Sequence, residues 1–308
     1  MPELVVSVPD EDLLDALQPL PAGGRGVVWD LLDEPPRSRI DLVVLPYMGA
    51  SVRLLPAVAA VSPRLVQSQM LGYDGVAERL PAGMVFANAV GVHESSTGEL
   101  ALALILASLR GLPTFARQSA QGVWPTPFTG TSLADRRVLV LGTGGVGRAV
   151  ASRLAPFEVE VVRVARTART DDLGAVHGLD ELPHLLPTAD VVVLAVPLDA
   201  STRGLVDERF LHAMKDGALL VNVSRGPVVD TDALASAVRF GGLRAALDVT
   251  DPEPLPTGHP LLTSPHVLIS PHVGGNSTAM RPRVAALVRE QVERLRDGRE
   301  PLHVVLRT

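Results

Sequence analysis

A chain of 308 residues has room for two domains of ~150 residues each. Its formal charge of -6 argues against nucleic-acid binding, which needs a basic face, and the interleaving of acidic and basic residues makes the surplus a matter of solubility. The absence of cysteine removes disulfides, thiolate catalysis and Cys-ligated zinc together, and 3% aromatic against 46% hydrophobic residues makes the cores aliphatic.

Residues 1–6 show no basic region leading into an apolar stretch, so no signal peptide is expected. Residues 4–8, 26–29, 42–45, 65–69 and 85–87 read as short buried strands. Helical spacing appears between them over 11–17 and 51–60. Residues 98–109 form a near-uniformly apolar helix, a buried connector between domains. The longest apolar run, 100–108, falls far short of the ~20 residues that a membrane-spanning helix needs, so the expectation is a cytoplasmic protein without membrane contact.

A second alternation begins at Arg137. Strands are expected at 137–141, 159–164, 191–196, 218–223, 243–247 and 267–270, with helices at 146–154, 182–186, 210–214 and 233–240. Such alternation implies parallel sheets covered on both faces, and the second series matches the doubled βαβαβ of a dinucleotide-binding fold. An amphipathic helix over 279–296, apolar at 284, 287, 288, 292 and 295, carries the chain back to the first domain. The expected fold is α/β, with two doubly wound parallel-sheet domains. A Rossmann nucleotide domain, 98–276, is inserted into a flavodoxin-like substrate domain made of 1–97 and 277–308.

Gly142-Thr143-Gly144-Gly145-Val146-Gly147 fits G-x-G-x-x-G directly after a strand and at the start of a helix, the context that gives the pattern meaning. The first glycine permits the tight turn, the second admits a pyrophosphate, and the third lets helix and strand pack closely. The helix N-terminus then meets phosphate with free N–H groups. The next strand bears on which dinucleotide is taken. NAD sites place Asp or Glu near that strand's end; here it ends Val164-Ala165-Arg166-Thr167-Ala168-Arg169. Arg166 and Arg169, with the Thr167 hydroxyl, suit a 2′-phosphate, so NADP(H) is favoured and NAD(H) stays possible. The alternative is that both arginines are solvated charges paired with Asp171 and Asp172.

Arg225, Glu253 and His272 each follow an apolar strand of the second domain, where open α/β sheets bind ligands. Reducing a 2-oxo acid needs a hydride donor, a proton donor and a cation for the carboxylate. Histidine ordinarily titrates near neutral pH, a carboxylate partner favours its charged form, and arginine offers a fixed fork of donors.

These motifs carry a resemblance. With Leu71-Gly72-Tyr73-Asp74, Asn88-Ala89-Val90-Gly91, Val196-Pro197-Leu198, Asn222-Val223-Ser224-Arg225-Gly226-Pro227, Ala246-Leu247-Asp248 and Ser270-Pro271-His272, the chain resembles the D-isomer-specific 2-hydroxyacid dehydrogenases, of the glyoxylate/hydroxypyruvate reductase kind, from about Gln69 to Asn276. The resemblance implies that Arg225 binds and polarises substrate, Glu253 supports the histidine and His272 is the acid/base. It also implies that Val196, Pro197 and Asp248 touch the cofactor, and that backbone amides at Leu71 and Gly72 hold the substrate carboxylate. A small 2-oxo acid and a homodimer are the expected partners. Met48 and Tyr47, in Leu45-Pro46-Tyr47-Met48-Gly49-Ala50, are read either as an apolar wall of the substrate pocket or as core packing. Trp124 sits in a loop that could reach a site, including one in a partner subunit. His93 and Glu99 are read as structural, and the histidines show no metal spacing. A phosphite-type dehydrogenase and a dinucleotide-sensing corepressor remain as alternatives.

Overall fold

Residues 3–21, 23–48 and 51–308 are described by the computed structural model; Met1, Pro2, Ala22, Gly49 and Ala50 lie outside it. The chain divides into two compact units, Met1–His93 with Gly275–Thr308, and Glu94–Gly274.

The first unit opens with β1 (Leu4–Val8), buried along its whole length. α1 (Glu11–Ala16) starts on Asp10, whose carboxylate accepts the Leu13 amide at 2.8 Å, an N-cap that satisfies one of the helix's free donors. β2 (Gly24–Val28), β3 (Leu42–Val44), α2 (Ser51–Leu54), β4 (Leu65–Gln67) and β5 (Val85–Ala87) follow. β1, β3 and β4 are buried throughout and, apart from Ser7 and Gln67, consist of Leu and Val, as strands covered on both faces must. β2 lies at the sheet edge and is half exposed.

In the second unit α3 (Glu94–Arg110) begins one turn before the expected Gly98, because Ser96 and Thr97 are buried with the apolar residues rather than left as linker. A Cβ on Gly98 would sit 3.1 Å from that of Ala149, so glycine sets how closely α3 packs on the helix carrying Ala149. The chain continues through α4 (Leu112–Ala120), β6 (Arg137–Leu141), α5 (Gly145–Leu154), β7 (Glu160–Val164), β8 (Arg169–Asp171) and β9 (Gly174–Val176). Then come α6 (Leu182–Leu185), β10 (Val191–Leu194), α7 (Glu208–Ala213), β11 (Leu219–Asn222), α8 (Thr231–Phe240), β12 (Arg244–Leu247), α9 (Pro260–Thr263) and β13 (Val267–Ile269). The six-stranded sheet runs β7-β6-β10-β11-β12-β13, every pair parallel. From β6 the chain passes to β7 on one side and later to β10 on the other. The switch point, where such sheets bind ligands, therefore lies between β6 and β10.

α10 (Met280–Arg296) belongs to the first unit and buries Val284, Leu287, Val288, Val292 and Leu295, the five positions picked out by spacing. It is followed by β14 (Val304–Arg307), which pairs antiparallel with β5 and gives the order β2-β1-β3-β4-β5-β14. The first five strands have the flavodoxin-like arrangement. β14 adds one antiparallel edge strand to the otherwise parallel sheet, and a second element not anticipated is the small antiparallel pair β8–β9. Among the described residues no single helix is long and apolar enough to cross a membrane.

Candidate active site

The glycine loop leaves β6 at Gly142, whose φ of +108° is open to glycine and costly for other residues. A Cβ there would collide with the Ala195 carbonyl oxygen beyond β10, and one on Gly147 would strike the carbonyl of Gly142. Gly144, the N-cap of α5, has nothing within 4 Å of a Cβ position. Two glycines are thus demanded by backbone packing, while the third faces open space at the N-terminus of a ten-residue helix. That is the fit a dinucleotide pyrophosphate needs, with the free N–H groups of Gly145, Val146 and Gly147 at the positive end of the helix. Val196 and Pro197 follow β10 on the other side of the switch point, and the Pro197 carbonyl accepts the Thr202 hydroxyl at 2.7 Å.

Beyond β7 the arginines separate into two groups. Arg163, buried within β7, donates to both Asp171 carboxylate oxygens at 2.9 and 2.7 Å and to the Gly174 carbonyl at 2.8 Å. Its hydrogen bonds hold the Asp171 carboxyl down to about 2. Arg148 on α5 donates to both oxygens of Asp172, at 2.7 and 2.5 Å. These two arginines fix the β8–β9 hairpin, so Asp171 and Asp172 are not the partners of Arg166 and Arg169. Arg169 instead donates to the Thr143 hydroxyl in the glycine loop at 2.5 Å and to the Thr167 carbonyl at 3.3 Å. Arg166 reaches Asp199 and Ser201. The structure thus places Arg169 against the glycine loop.

The catalytic candidates rise from β11, β12 and β13. Arg225 opens a tight turn over Gly226–Val228. Asn222 holds that turn, donating to the Arg225 carbonyl at 3.0 Å while its side-chain oxygen accepts the Ser224 amide and hydroxyl at 3.0 and 2.6 Å. A Cβ on Gly226 would collide with the Thr250 carbonyl. The Arg225 guanidinium donates to the Ser224 carbonyl at 2.8 Å. Glu253 and His272 are brought together, Oε1 to Nδ1 at 2.8 Å. His272 has φ +54°, a left-handed conformation that costs a non-glycine residue free energy and needs support from its surroundings.

That support comes from Asp248. Only 3% exposed, it accepts the Ser270 hydroxyl and Val273 amide on Oδ1, at 2.7 and 2.9 Å, and the Gly274 amide on Oδ2 at 2.8 Å. Its carbonyl takes the His272 amide at 2.8 Å. A buried carboxylate with this many donors is held rigidly in place.

In the first unit, the loop after β4 is fixed by its own polar groups. Asn88 donates to the Leu71 carbonyl at 2.9 Å, and Gln69 donates to the Leu45 carbonyl at 2.8 Å. Gly72 follows Leu71 in this loop, and both are partly buried. Met48 has φ +61° and is partly buried. His93 is buried, its ring nitrogens facing the Gln69 and Gly275 carbonyls at 2.5 and 3.2 Å, and it stacks on Tyr47 with ring centres 5.6 Å apart. That is a structural histidine. Glu99 pairs with Arg153 at 3.5 Å. Among the described residues no group of three or more His, Asp or Glu is arranged to hold a metal ion.

Residues 102–274 match the pattern of the D-isomer specific 2-hydroxyacid dehydrogenase, NAD binding domain. Human glyoxylate reductase/hydroxypyruvate reductase is 32% identical over 288 residues, 89% of this chain and 84% of that one. The glyoxylate reductase of Thermofilum pendens is 32% identical over 79% of this chain and 75% of its own. The chain belongs to the D-isomer specific 2-hydroxyacid dehydrogenases. Among solved structures, a dehydrogenase of this family from Xanthobacter autotrophicus Py2, in complex with NADPH and MES, superposes with a TM-score of 0.82 at 29% identity, covering 99% of this chain and 98% of that one. The NADPH-dependent glyoxylate/hydroxypyruvate reductase of Sinorhizobium meliloti, in complex with NADP and malonate, gives 0.79 at 28%, covering 98% and 97%. The protein is therefore an NAD(P)-dependent oxidoreductase of the 2-hydroxyacid dehydrogenase kind with a Rossmann nucleotide domain.

For this dehydrogenase, the sequence singles out the candidate catalytic side chains but not the groups that hold them. Asn222 was part of a quoted motif with no role of its own. Asp248 entered as a cofactor contact, and the structure adds its hold on the His272 loop. Arg163 and Asp199 carried no signal, because Arg163 meets Asp171 only once the intervening chain turns back on β7, and Asp199 meets Arg166 from thirty-three residues away.

Proposed function

We propose that this dehydrogenase reduces a small 2-oxo acid, such as glyoxylate or hydroxypyruvate, to the D-2-hydroxy acid, with NADPH preferred to NADH. The observation that carries the reading is the 2.8 Å bond between Glu253 Oε1 and His272 Nδ1. The bound dinucleotide supplies the hydride. With Nδ1 turned to Glu253, His272 presents Nε2 to give a proton to the substrate oxygen as the carbonyl becomes an alkoxide, and to take it back in the reverse direction. Glu253 fixes the ring plane and offsets the imidazolium charge. Arg225 receives the carboxylate and keto oxygens in its fork of donors.

Gly142 to Gly147, with Val196 and Pro197, hold the cofactor in this reading, and Arg166, Thr167 and Arg169 receive its 2′-phosphate. The bound NADPH and NADP of the two relatives support that preference, and their names support the substrate class. Asp248 is retained as a cofactor contact besides its hold on the loop. Met48, Leu71 and Gly72 are assigned to substrate on the family resemblance. A cytoplasmic homodimer completes the reading: α4 buries none of its residues, and Leu112, Val123, Trp124 and Phe128 expose apolar surface on and after it, as surfaces that meet a second copy do. The test is a panel of 2-oxo acids with both cofactors. Glyoxylate or hydroxypyruvate should be turned over, faster with NADPH; no oxidation of either cofactor by any acid would overturn the reading.

A further inference from the structure

The fork of Arg166 already meets an anion. Its Nη2 lies 3.1 Å from Asp199 Oδ2 and 3.1 Å from the Ser201 hydroxyl. Asp199 does not come from the segment after β7 that carries Arg166. It belongs to the loop after β10, across the switch point, thirty-three residues on. Its carboxylate is placed by that loop. Oδ1 accepts the Ser201 amide at 2.7 Å and the Ser201 hydroxyl at 2.6 Å, an Asx turn. The loop itself is tied by Thr202, buried to 8% exposure, which accepts the Asp199 amide at 2.8 Å and donates to the Pro197 carbonyl. The Ser201 hydroxyl and amide, then Arg166, keep the Asp199 carboxyl below the usual range, so it is charged at neutral pH.

The consequence follows from charge. The end of β7 lacks the carboxylate that ordinarily takes a ribose 2′-hydroxyl, yet Asp199 brings one to the same arginine from the neighbouring loop. A 2′-phosphate carries roughly two negative charges at neutral pH. To bind at Arg166 it must displace Asp199 or tolerate it nearby, and like charges in partial contact with water repel modestly. A bare ribose diol has no such conflict, since its hydroxyls can donate to a carboxylate. Arg169 is not engaged in the same way, because its partners are the Thr143 hydroxyl and the Thr167 carbonyl.

We propose that Asp199 is a specificity-determining residue: its carboxylate occupies the anion position on Arg166, weakens the preference for a 2′-phosphorylated dinucleotide and keeps the unphosphorylated one within reach. This rests on the reading of Arg166 to Arg169 as the 2′-phosphate site. Selectivity between the cofactors is then a balance between two arginines and one aspartate, not a property of the arginines alone.

The test is calorimetric titration of the full-length protein with 2′,5′-ADP and with 5′-AMP, which report on the ribose end without needing the substrate. Asp199→Asn removes the charge and keeps the acceptor that forms the Asx turn. The ratio of affinities, 2′,5′-ADP over 5′-AMP, should rise roughly fivefold, the scale of one exposed charge interaction, and the gain should shrink at high salt. Asp199→Ser forms the equivalent turn through its hydroxyl and should move the ratio in the same direction, which guards against a folding defect in one variant. An unchanged or lower ratio in both variants overturns the proposal, a lower one meaning that Asp199 aims Arg166 at the phosphate. A parent protein that binds 2′,5′-ADP no more tightly than 5′-AMP instead defeats the reading of Arg166 on which the proposal stands.

Discussion

The loop that carries His272 and the segment that carries Arg166 to Arg169 follow opposite edge strands of the same sheet, β13 and β7, yet they are built on different principles. His272 and Glu253 are themselves partly exposed, at 30% and 42%, but the loop that carries His272 is held from beneath by a buried polar group. Asp248 takes two amides and a hydroxyl in a site shielded from water, where each hydrogen bond is strong and each loss expensive. Around Arg166 the side chains stand in solvent, 71% exposed in the case of that arginine, where ion pairs contribute little and exchange partners freely. The difference teaches a division of labour. A proton donor, the role proposed for His272, must be held to within fractions of an ångström, and the fold provides a buried network beneath its loop. The 2′-phosphate site proposed at Arg166 to Arg169 needs only a balance of charge, and exposed residues can set that balance without disturbing the core.

The comparison can be broken first at Asp248. Asp248→Asn turns one acceptor oxygen into a donor facing an N–H or hydroxyl that then lacks a partner. The cost should be about 1–3 kcal/mol of stability, read as a lower Tm, together with a fall in kcat of roughly a hundredfold as His272 leaves its position. An unchanged kcat would show that the loop does not depend on its aspartate. A smaller effect is expected at the other edge. Arg166→Ala should leave Tm and the NADH reaction nearly unchanged while reducing the NADPH/NADH ratio of kcat/KM by roughly tenfold, as expected for loss of a charge-assisted contact. A drop in Tm comparable to that of Asp248→Asn would erase the contrast between the two regions.

Much of this architecture was legible in the residues. The glycine loop could be read because a Val-Leu strand, three spaced glycines and a helix follow one another within a dozen positions. The buried face of α10 followed from apolar spacing alone. What escaped had no local signature. β14 is four residues long, and its pairing with β5 spans more than two hundred positions. The β8–β9 hairpin is polar at Arg169, Thr170 and Asp171, so no alternation announces it; what fixes it is Arg163 reaching Asp171 from within β7. The start of α3 was placed late because Ser96 and Thr97 look like linker residues until their burial is seen. At the site, Glu253 and His272 stood out by type and order, whereas the holding roles of Asn222 and Asp248 depend on backbone amides that come within reach only once the turns are folded.

In the proposed reaction His272, held by Glu253, delivers the proton in a 2-oxo acid reduction. Its most direct test is His272→Ala, with nucleotide binding and turnover measured on the same preparation. The variant should keep its affinity for NADPH and lose kcat by roughly a thousandfold or more, within the range for loss of a positioned general acid. Turnover within a few-fold of the parent would contradict it.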